Sequence, residues 1–497
     1  MSPQATALTT IFVIVAAGSA IGFYAGGRRR MDFEQWTVAG RGFGLVFVWL
    51  LMAGEVYTTF AFLGAAGWAY SRGGPTFYIL AYLVLGYVVS FYFLPQVWEA
   101  GRKYGMQTEP DFFLKRYQNK YLAGFVAVVG FIFIIPYVQL QLVGLGIIVE
   151  AASFHSISRT AGIIVAVLLV STFVLAKGVR AVAWISVLKD FLMLSVAVVI
   201  GIGIPYKFFG GVGPMFAALA QSHPTHLVMP GATRTMGHAW YISTVLLTSC
   251  GFYMWPHTLG SAFTARSGDT LRRNAVLMPL YSITLPLIFF VGFSALMVVP
   301  GLADGDLSLL TVVRKAFPPW FLGVVGGAGA LTAMVPAALL ILTSAALFSK
   351  NFFRPLFAPS MTDAQVTRLA KVMVMAISAA ALYFAIFKSA TLVSLLLLGY
   401  AGVTQFFPGV ILGLYWRRAS SAGVFAGMTV GVAMVAFLVL TGRDPLLGVN
   451  AGFLSLCVNA AITAVISLLT PVQGGGFDED IEEGVPKHED NSIETSL

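Results

Sequence analysis

Met52-Ala53-Gly54-Glu55-Val56-Tyr57-Thr58-Thr59 lies near the middle of a 28-residue apolar run from Phe43 to Tyr70. A carboxylate at the centre of a membrane span costs at least ~2.5 kcal/mol, so Glu55 marks a place where a charge is useful. Directly after Gly54 it points to a helix interrupted at mid-bilayer, where loosened backbone and one charge handle an ion or a polar solute. The alternative is an acid that only pins neighbouring helices.

The surroundings agree. The chain has 497 residues, is 58% hydrophobic and only 10% charged, and its mean hydropathy is +0.85. A soluble domain is excluded and an all-α polytopic membrane protein follows. Spans need ~20 mainly apolar residues. Thirteen are expected, at 8–26, 43–70, 75–98, 121–149, 160–177, 181–206, 239–263, 275–300, 319–348, 367–387, 390–414, 422–441 and 449–469. With the Arg28-Arg29-Arg30 loop cytoplasmic and sides alternating, 20 basic residues fall in loops on that side and 8 opposite. The bias places the N-terminus outside and the C-terminus in the cytoplasm. The +9 net charge then belongs to cytoplasmic loops and needs no nucleic-acid partner. Cys250 and Cys457 fall inside spans and form no disulfide framework. Residues 1–473 read as one membrane domain. Residues 474–497 hold eight of the 21 acidic residues and read as a disordered acidic cytoplasmic tail.

A second break is expected in span seven. Gly251 weakens the turn before Phe252-Tyr253-Met254-Trp255, and Pro256 removes a backbone donor. Broken helices five spans apart are the mark of an inverted repeat of five plus five helices, here about 43–206 and 239–414, with a binding site between them. Lys189-Asp190 forms another charged island in span six. Adjacent helical residues diverge by about 100°, so the two are not expected to pair. Each needs another partner or a wet cavity, or else snorkels toward the cytoplasmic surface. The remaining polar groups in spans are sparse. Tyr137, Gln141, Tyr253, Trp255, His257 and Gln405 are the candidate pocket residues, and Gln139, about 200° from Gln141, faces elsewhere. His257 is open to two readings, a titrating group or a bundle hydrogen bond.

No GxxxxGK[ST] loop, HExxH or CxxC spacing occurs, so neither ATP hydrolysis nor a metal or other cofactor is expected. A channel would show rings of polar residues or a repeated filter loop. A sensor would carry a soluble signalling domain, and an enzyme a cluster of catalytic side chains. None of these is visible.

These motifs resemble the sodium/solute symporter family, over about residues 8–470. The carriers are Ala53-Gly54-Glu55-Val56, Pro256-His257, and Thr343-Ser344 through Phe348-Ser349-Lys350-Asn351-Phe352-Phe353. Within the family, Gly54-Glu55-Val56-Tyr57-Thr58, Pro136-Tyr137-Val138-Gln139-Leu140-Gln141, Leu188-Lys189-Asp190 and Pro256-His257-Thr258 look most like bacterial monocarboxylate permeases of the lactate, pyruvate and alanine type. The resemblance implies a secondary symporter in a bacterial inner membrane, importing a small organic solute and needing no oligomer. It also implies carbonyls near Ala53 and Val56 as ion ligands, with two hydroxyl residues on span nine. In register with Phe348-Ser349 that pair is Val335-Pro336, which offers no side-chain oxygen, and Lys189 stands where the family often has an amide. Proton coupling through Glu55 and Lys189 is therefore favoured. The alternative retains Na⁺ on Thr332, Thr343 or Ser344 with Glu55, and with another substrate such as pantothenate, acetate, an amino acid or a sugar.

Overall fold

Helical hydrogen bonding stops at Val56. In the computed structural model, which describes residues 1–25, 41–233, 235–388 and 390–471, α1 covers Pro3–Ala25 and α2 covers Leu45–Val56. A regular helix would send the Phe60 amide to the Val56 carbonyl. Instead the Thr58 hydroxyl accepts from Phe60 N at 3.3 Å, and the Thr58 amide donates to Val56 O at 3.1 Å. A threonine side chain competing for the backbone thus ends the helix. A π-helical turn, Phe60–Gly64, leads into α3, Ala65–Ser71, and the two halves of the span meet at 60°.

α4 (Tyr78–Lys103), α5 (Glu109–Tyr117), α6 (Lys120–Ala152), α7 (Arg159–Phe209) and α8 (Val212–Ser222) follow. Span seven breaks as expected: α9 is His238–Gly251 and α10 is Pro256–Ala262. A methyl on Gly251 would land on the Thr404 hydroxyl and 3.0 Å from the Tyr400 ring, so only glycine permits this approach. The rest, apart from a four-residue helical turn at Arg354–Phe357, are α11 (Gly268–Ser282), α12 (Thr284–Val298), α13 (Ser308–Ala316), α14 (Pro319–Ala346), α15 (Asp363–Phe387), α16 (Leu392–Val403), α17 (Phe407–Tyr415), α18 (Ser421–Leu440) and α19 (Ala451–Leu469). Among the described residues, ten helical stretches are long and apolar enough to cross a bilayer, or eleven counting the bent pair as one span. The expected seventh span falls on the short pair α9 and α10.

Two backbone contacts show that the broken spans run in opposite directions. Phe43, just before α2, exchanges hydrogen bonds with Thr264 and Arg266, just after α10, at 3.0 Å each. On the other face, the Arg72 carbonyl after α3 accepts from Ala232 N at 3.0 Å, and Trp68 of α3 lies 6.0 Å from Trp240 of α9. The first half of span two and the second half of span seven therefore share one face. Their other halves share the opposite face. This is the all-α inverted-repeat architecture.

The expected spans five and six join in one 51-residue helical element, α7, with no loop at Lys177–Arg180. A straight helix would hold Arg159 and Lys207 about 72 Å apart. Arg159 bonds Asp304 and Lys207 bonds Ala316, and the 12 residue steps between those partners extend to at most about 43 Å. The element is therefore not straight, and its apolar stretches Arg159–Thr172 and Trp184–Phe209 stand where two spans were expected. The Arg28-Arg29-Arg30 loop and the acidic tail lie outside the described residues.

At the face of Phe43, α5 is fastened by Asp111. Its carboxylate accepts from the Gln107 and Thr108 amides at 2.9 and 3.0 Å, from Lys350 at 3.1 Å and from Asn351 at 2.8 Å. Burial pushes the Asp111 carboxyl up, but Lys350 and the other donors outweigh it and hold the group below its ordinary value. Its stabilisation is therefore present above the usual carboxylate range and lost as pH falls through the depressed value. Asp111→Ala is expected to lower stability by about 3 kcal/mol at pH 7. Thermal unfolding in detergent should show the gap to wild type narrowing below about pH 4.

Candidate functional site

The break in span two leaves carbonyls without helical partners. Ala53 O keeps its helical partner, Tyr57 N, at 2.8 Å, and Val56 O finds a local one in Thr58 N at 3.1 Å. Glu55 O accepts from the Tyr137 hydroxyl of α6 at 2.9 Å. Gly54 O and Tyr57 O accept from one group, the Lys189 ammonium, at 3.2 and 3.4 Å. A methyl on Gly54 would stand 3.0 Å from the Ser186 hydroxyl and 3.4 Å from Lys189 Nζ, so glycine lets α7 approach this closely.

Lys189 is fully buried and neither snorkels nor stands alone. It pairs with Asp190 at 2.8 Å, contrary to the expectation from helical spacing. The lysine stem is long enough to bend back around the helix surface, and no competing water is available at that depth. Asp190 Oδ1 also accepts from Tyr281 of α11 at 3.1 Å, and its other oxygen has no protein partner. Glu55 is buried as well. Its Oε1 accepts from the Ser261 hydroxyl of α10, while Oε2 has no protein partner.

Glu55 faces a small cavity between the two breaks. Val56, Tyr82, Tyr137, Phe252, Trp255, His257, Thr258, Leu396 and Tyr400 complete its lining. Its walls are mostly aromatic: the Tyr137 ring lies 4.9 Å from Trp255 and 5.7 Å from His257, and Trp255 lies 5.2 Å from Tyr400. His257 Nδ1 is buried without a protein partner. The free space, about 10 Å³, is that of a single water.

Of the expected residues, Glu55, Val56, Tyr137, Trp255 and His257 meet in this cavity. The others lie elsewhere. Gln141 accepts from Thr59 at 2.8 Å, beside the break. Tyr253 packs on Phe252 at 4.8 Å and on Phe93 at 6.5 Å. Gln405 bonds Ala401 O and Gly452 O and accepts from Asn459, which fastens α16 to α19. Thr332 donates to Ala328 O within its own helix at 2.7 Å, and Val335 and Pro336 are buried hydrocarbon. Tyr82, Phe252, Thr258, Leu396 and Tyr400 were not on the expected list. Tyr400 carried a signal, as a polar aromatic side chain in span eleven, and Phe252 sat inside the seventh-span break. Tyr82 is one aromatic among many in its helix.

Two mid-span breaks that run in opposite directions around one cavity, with buried charges at the first, are the arrangement of a membrane carrier. The sodium:solute symporter family profile matches residues 36–431, and the chain belongs to that family. It is 42% identical over 477 residues to YhjB, a symporter of Bacillus subtilis (strain 168) described as uncharacterized, covering 93% of this chain and 97% of that one. It is 29% identical over 486 residues to a monocarboxylate transport permease protein of Rhizobium johnstonii, covering 94% and 98%. The substrate-bound, outward-open structure of a Na⁺-coupled sialic acid symporter has the same fold, with a TM-score of 0.79 at 17% identity over 95% of this chain and 98% of that one. The chain is thus a multi-pass membrane symporter of small solutes.

The buried ion pair holds α7 against the first break. Lys189→Gln should cost ~3–5 kcal/mol, because Asp190 is left charged and unpaired at depth. Adding Asp190→Asn should recover most of that loss, which a double-mutant cycle of unfolding in detergent would show.

Proposed function

We propose that this protein is a proton-coupled symporter that imports short monocarboxylates, with Glu55 and Lys189 as the coupling pair. The observation that carries the reading is the Lys189 ammonium on the Gly54 and Tyr57 carbonyls. Those carbonyls belong to the break where a coupling cation would be held, and a fixed cation occupies them. The hydroxyl-free Val335-Pro336 pair agrees with the loss of a sodium cage.

Charge balance supports the substrate class. With Glu55 and Asp190 ionised and Lys189 protonated, the cluster carries one net negative charge. A monocarboxylate brought beside it adds a second in a low-dielectric place, which is costly. A proton on Glu55 removes the conflict, so solute and proton enter together. Glu55 suits this: one oxygen is held by Ser261, the other has no protein partner, and the residue lines the cavity. His257 Nδ1, which has no protein partner, supplies a polar atom for a carboxylate, and the rings would close around a short apolar body. Relatedness to the monocarboxylate permease of Rhizobium johnstonii points the same way. A cavity this small would correspond to an occluded step of alternating access. The face of Phe43 and Arg266 is cytoplasmic, in keeping with the basic loops there.

Sodium coupling is the second reading, and one observation favours it. Pro336 has no amide to give the Thr332 carbonyl, and the Ser344 hydroxyl is buried without a partner, so α14 offers oxygens not yet used.

Uptake of labelled pyruvate and lactate into proteoliposomes separates the two. Accumulation under an inward proton gradient alone is expected, and Lys189→Gln should abolish its dependence on that gradient. Accumulation only under a Na⁺ gradient would overturn proton coupling, and no uptake under either would overturn the substrate class.

A further inference from the structure

A second buried acid lies away from the cavity, in the connection between α12 and α13. Asp306 is 3% exposed. Its Oδ2 accepts from Leu392 N, the first residue of α16, at 3.0 Å. On its other side it presses on Gly67 of α3, where an added methyl would overlap the Asp306 carboxylate and stand 3.0 Å from its backbone N and Cα. One residue thus bridges the half-helix beyond the first break and the helix that brings Leu396 and Tyr400 to the cavity. Neighbouring contacts clamp the same place. The Tyr70 hydroxyl donates to Val299 O at 3.1 Å and accepts from Leu302 N at 2.9 Å. Trp68 Nε1 reaches the Thr391 hydroxyl at 3.4 Å.

The charges around Asp306 disfavour its ionised form. Asp304, two residues earlier, holds the Asp306 amide at 3.0 Å and sets a like charge beside it. Arg159 of α7 is committed to Asp304 and to Glu150 of α6, at 2.7 Å each. On α13, Arg314 lies over the Phe154 ring and Lys315 donates to Val298 O. On the remaining sides α3 brings the Tyr70 hydroxyl and ends at Arg72, and Lys388 before α16 is exposed. A buried carboxylate that receives one amide and no dedicated cation is more stable neutral.

We propose that Asp306 is a pH-sensitive latch over the cavity: neutral, it holds α3 and α16 together under the 299–316 connection, and ionised, it favours release of that connection into water. The direction follows from linkage. Burial pushes Asp306 up to about 7, with the Leu392 amide and the Arg159 charge opposing and Asp304 adding to the rise. A solvated aspartate titrates near ~3.9, so the closed latch binds the proton more tightly than the open one. The closed-to-open ratio is therefore highest in acid. It falls about tenfold per pH unit between about 4 and 7, then levels off. Mild acid locks this face and alkaline conditions free it, whichever ion drives transport.

Electron paramagnetic resonance distances test the latch without substrate or gradient. Spin labels are placed at Ala303→Cys and Leu447→Cys, both exposed on this face, with Cys250 and Cys457 replaced by serine. Measured in lipid nanodiscs at symmetric pH from 5 to 8, the short-distance population should fall as pH rises. Asp306→Asn should hold the acid-form distribution at every pH. Asp304→Asn should move the transition to lower pH. Distances unchanged from pH 5 to 8 in the Asp306 protein, or a pH response that survives in Asp306→Asn, would overturn the proposal. Lys189→Gln should keep the response, so failure of proton coupling and failure of the latch are separate outcomes.

Discussion

Backbone carbonyls exposed at mid-bilayer must be bonded, and in this protein an ammonium group does it. The break after Val56 frees oxygens that a continuous helix would have satisfied, and lipid supplies no donor to replace it. Lys189 reaches two of them. Its own charge needs an anion, which Asp190 provides, and Asp190 takes a further bond from Tyr281. One demand thus ties α2, α7 and α11 together. Each member is satisfied only if the next is present, which is how a buried polar network comes to specify a single arrangement.

The second break completes the site from the other repeat. Ser261 on α10 holds Glu55 of α2, and Phe43 and Arg266 join the outer ends of the same two helices. The half-helices on either side of the cavity therefore share a polar contact at depth and a backbone contact at the surface. The third wall comes from α16, whose Leu396 and Tyr400 face Trp255 across the cavity. Movement of α16 relative to the half-helices would change the volume between the rings. Asp306 sits at one end of that seam and Gln405 with Asn459 at the other.

Much of the site was readable because charge and backbone chemistry are local properties. Glu55 beside Gly54, and Pro256 after Gly251, announce breaks whatever surrounds them. Tyr137, Trp255 and His257 stood out as polar or amphipathic groups near those breaks. Pairing was harder to read. Gln141 and Gln405 look as available as Tyr137 in a list of intramembrane polar residues, yet each is used to join helices. Lys189 and Asp190 diverge on an ideal helix, but a flexible stem in a dry interior closes the gap. Asp306 had no signal at all, since an acid in a loop reads as solvated until the loop is seen to be buried.

By itself the sequence determined that the chain lies in a membrane as a bundle of helices, that two spans break, and which acid and base stand at depth. These follow from hydropathy, from the absence of an amide on proline and from the cost of a charge in lipid, all carried by neighbouring residues. Only the tertiary structure decided that Lys189 occupies the carbonyls of the first break, that the halves of the two broken spans pair in opposite directions, and that α7 does not run straight. Those depend on contacts between residues a hundred or more positions apart, or on where the ends of one long element are anchored. No periodicity within a single helix encodes them.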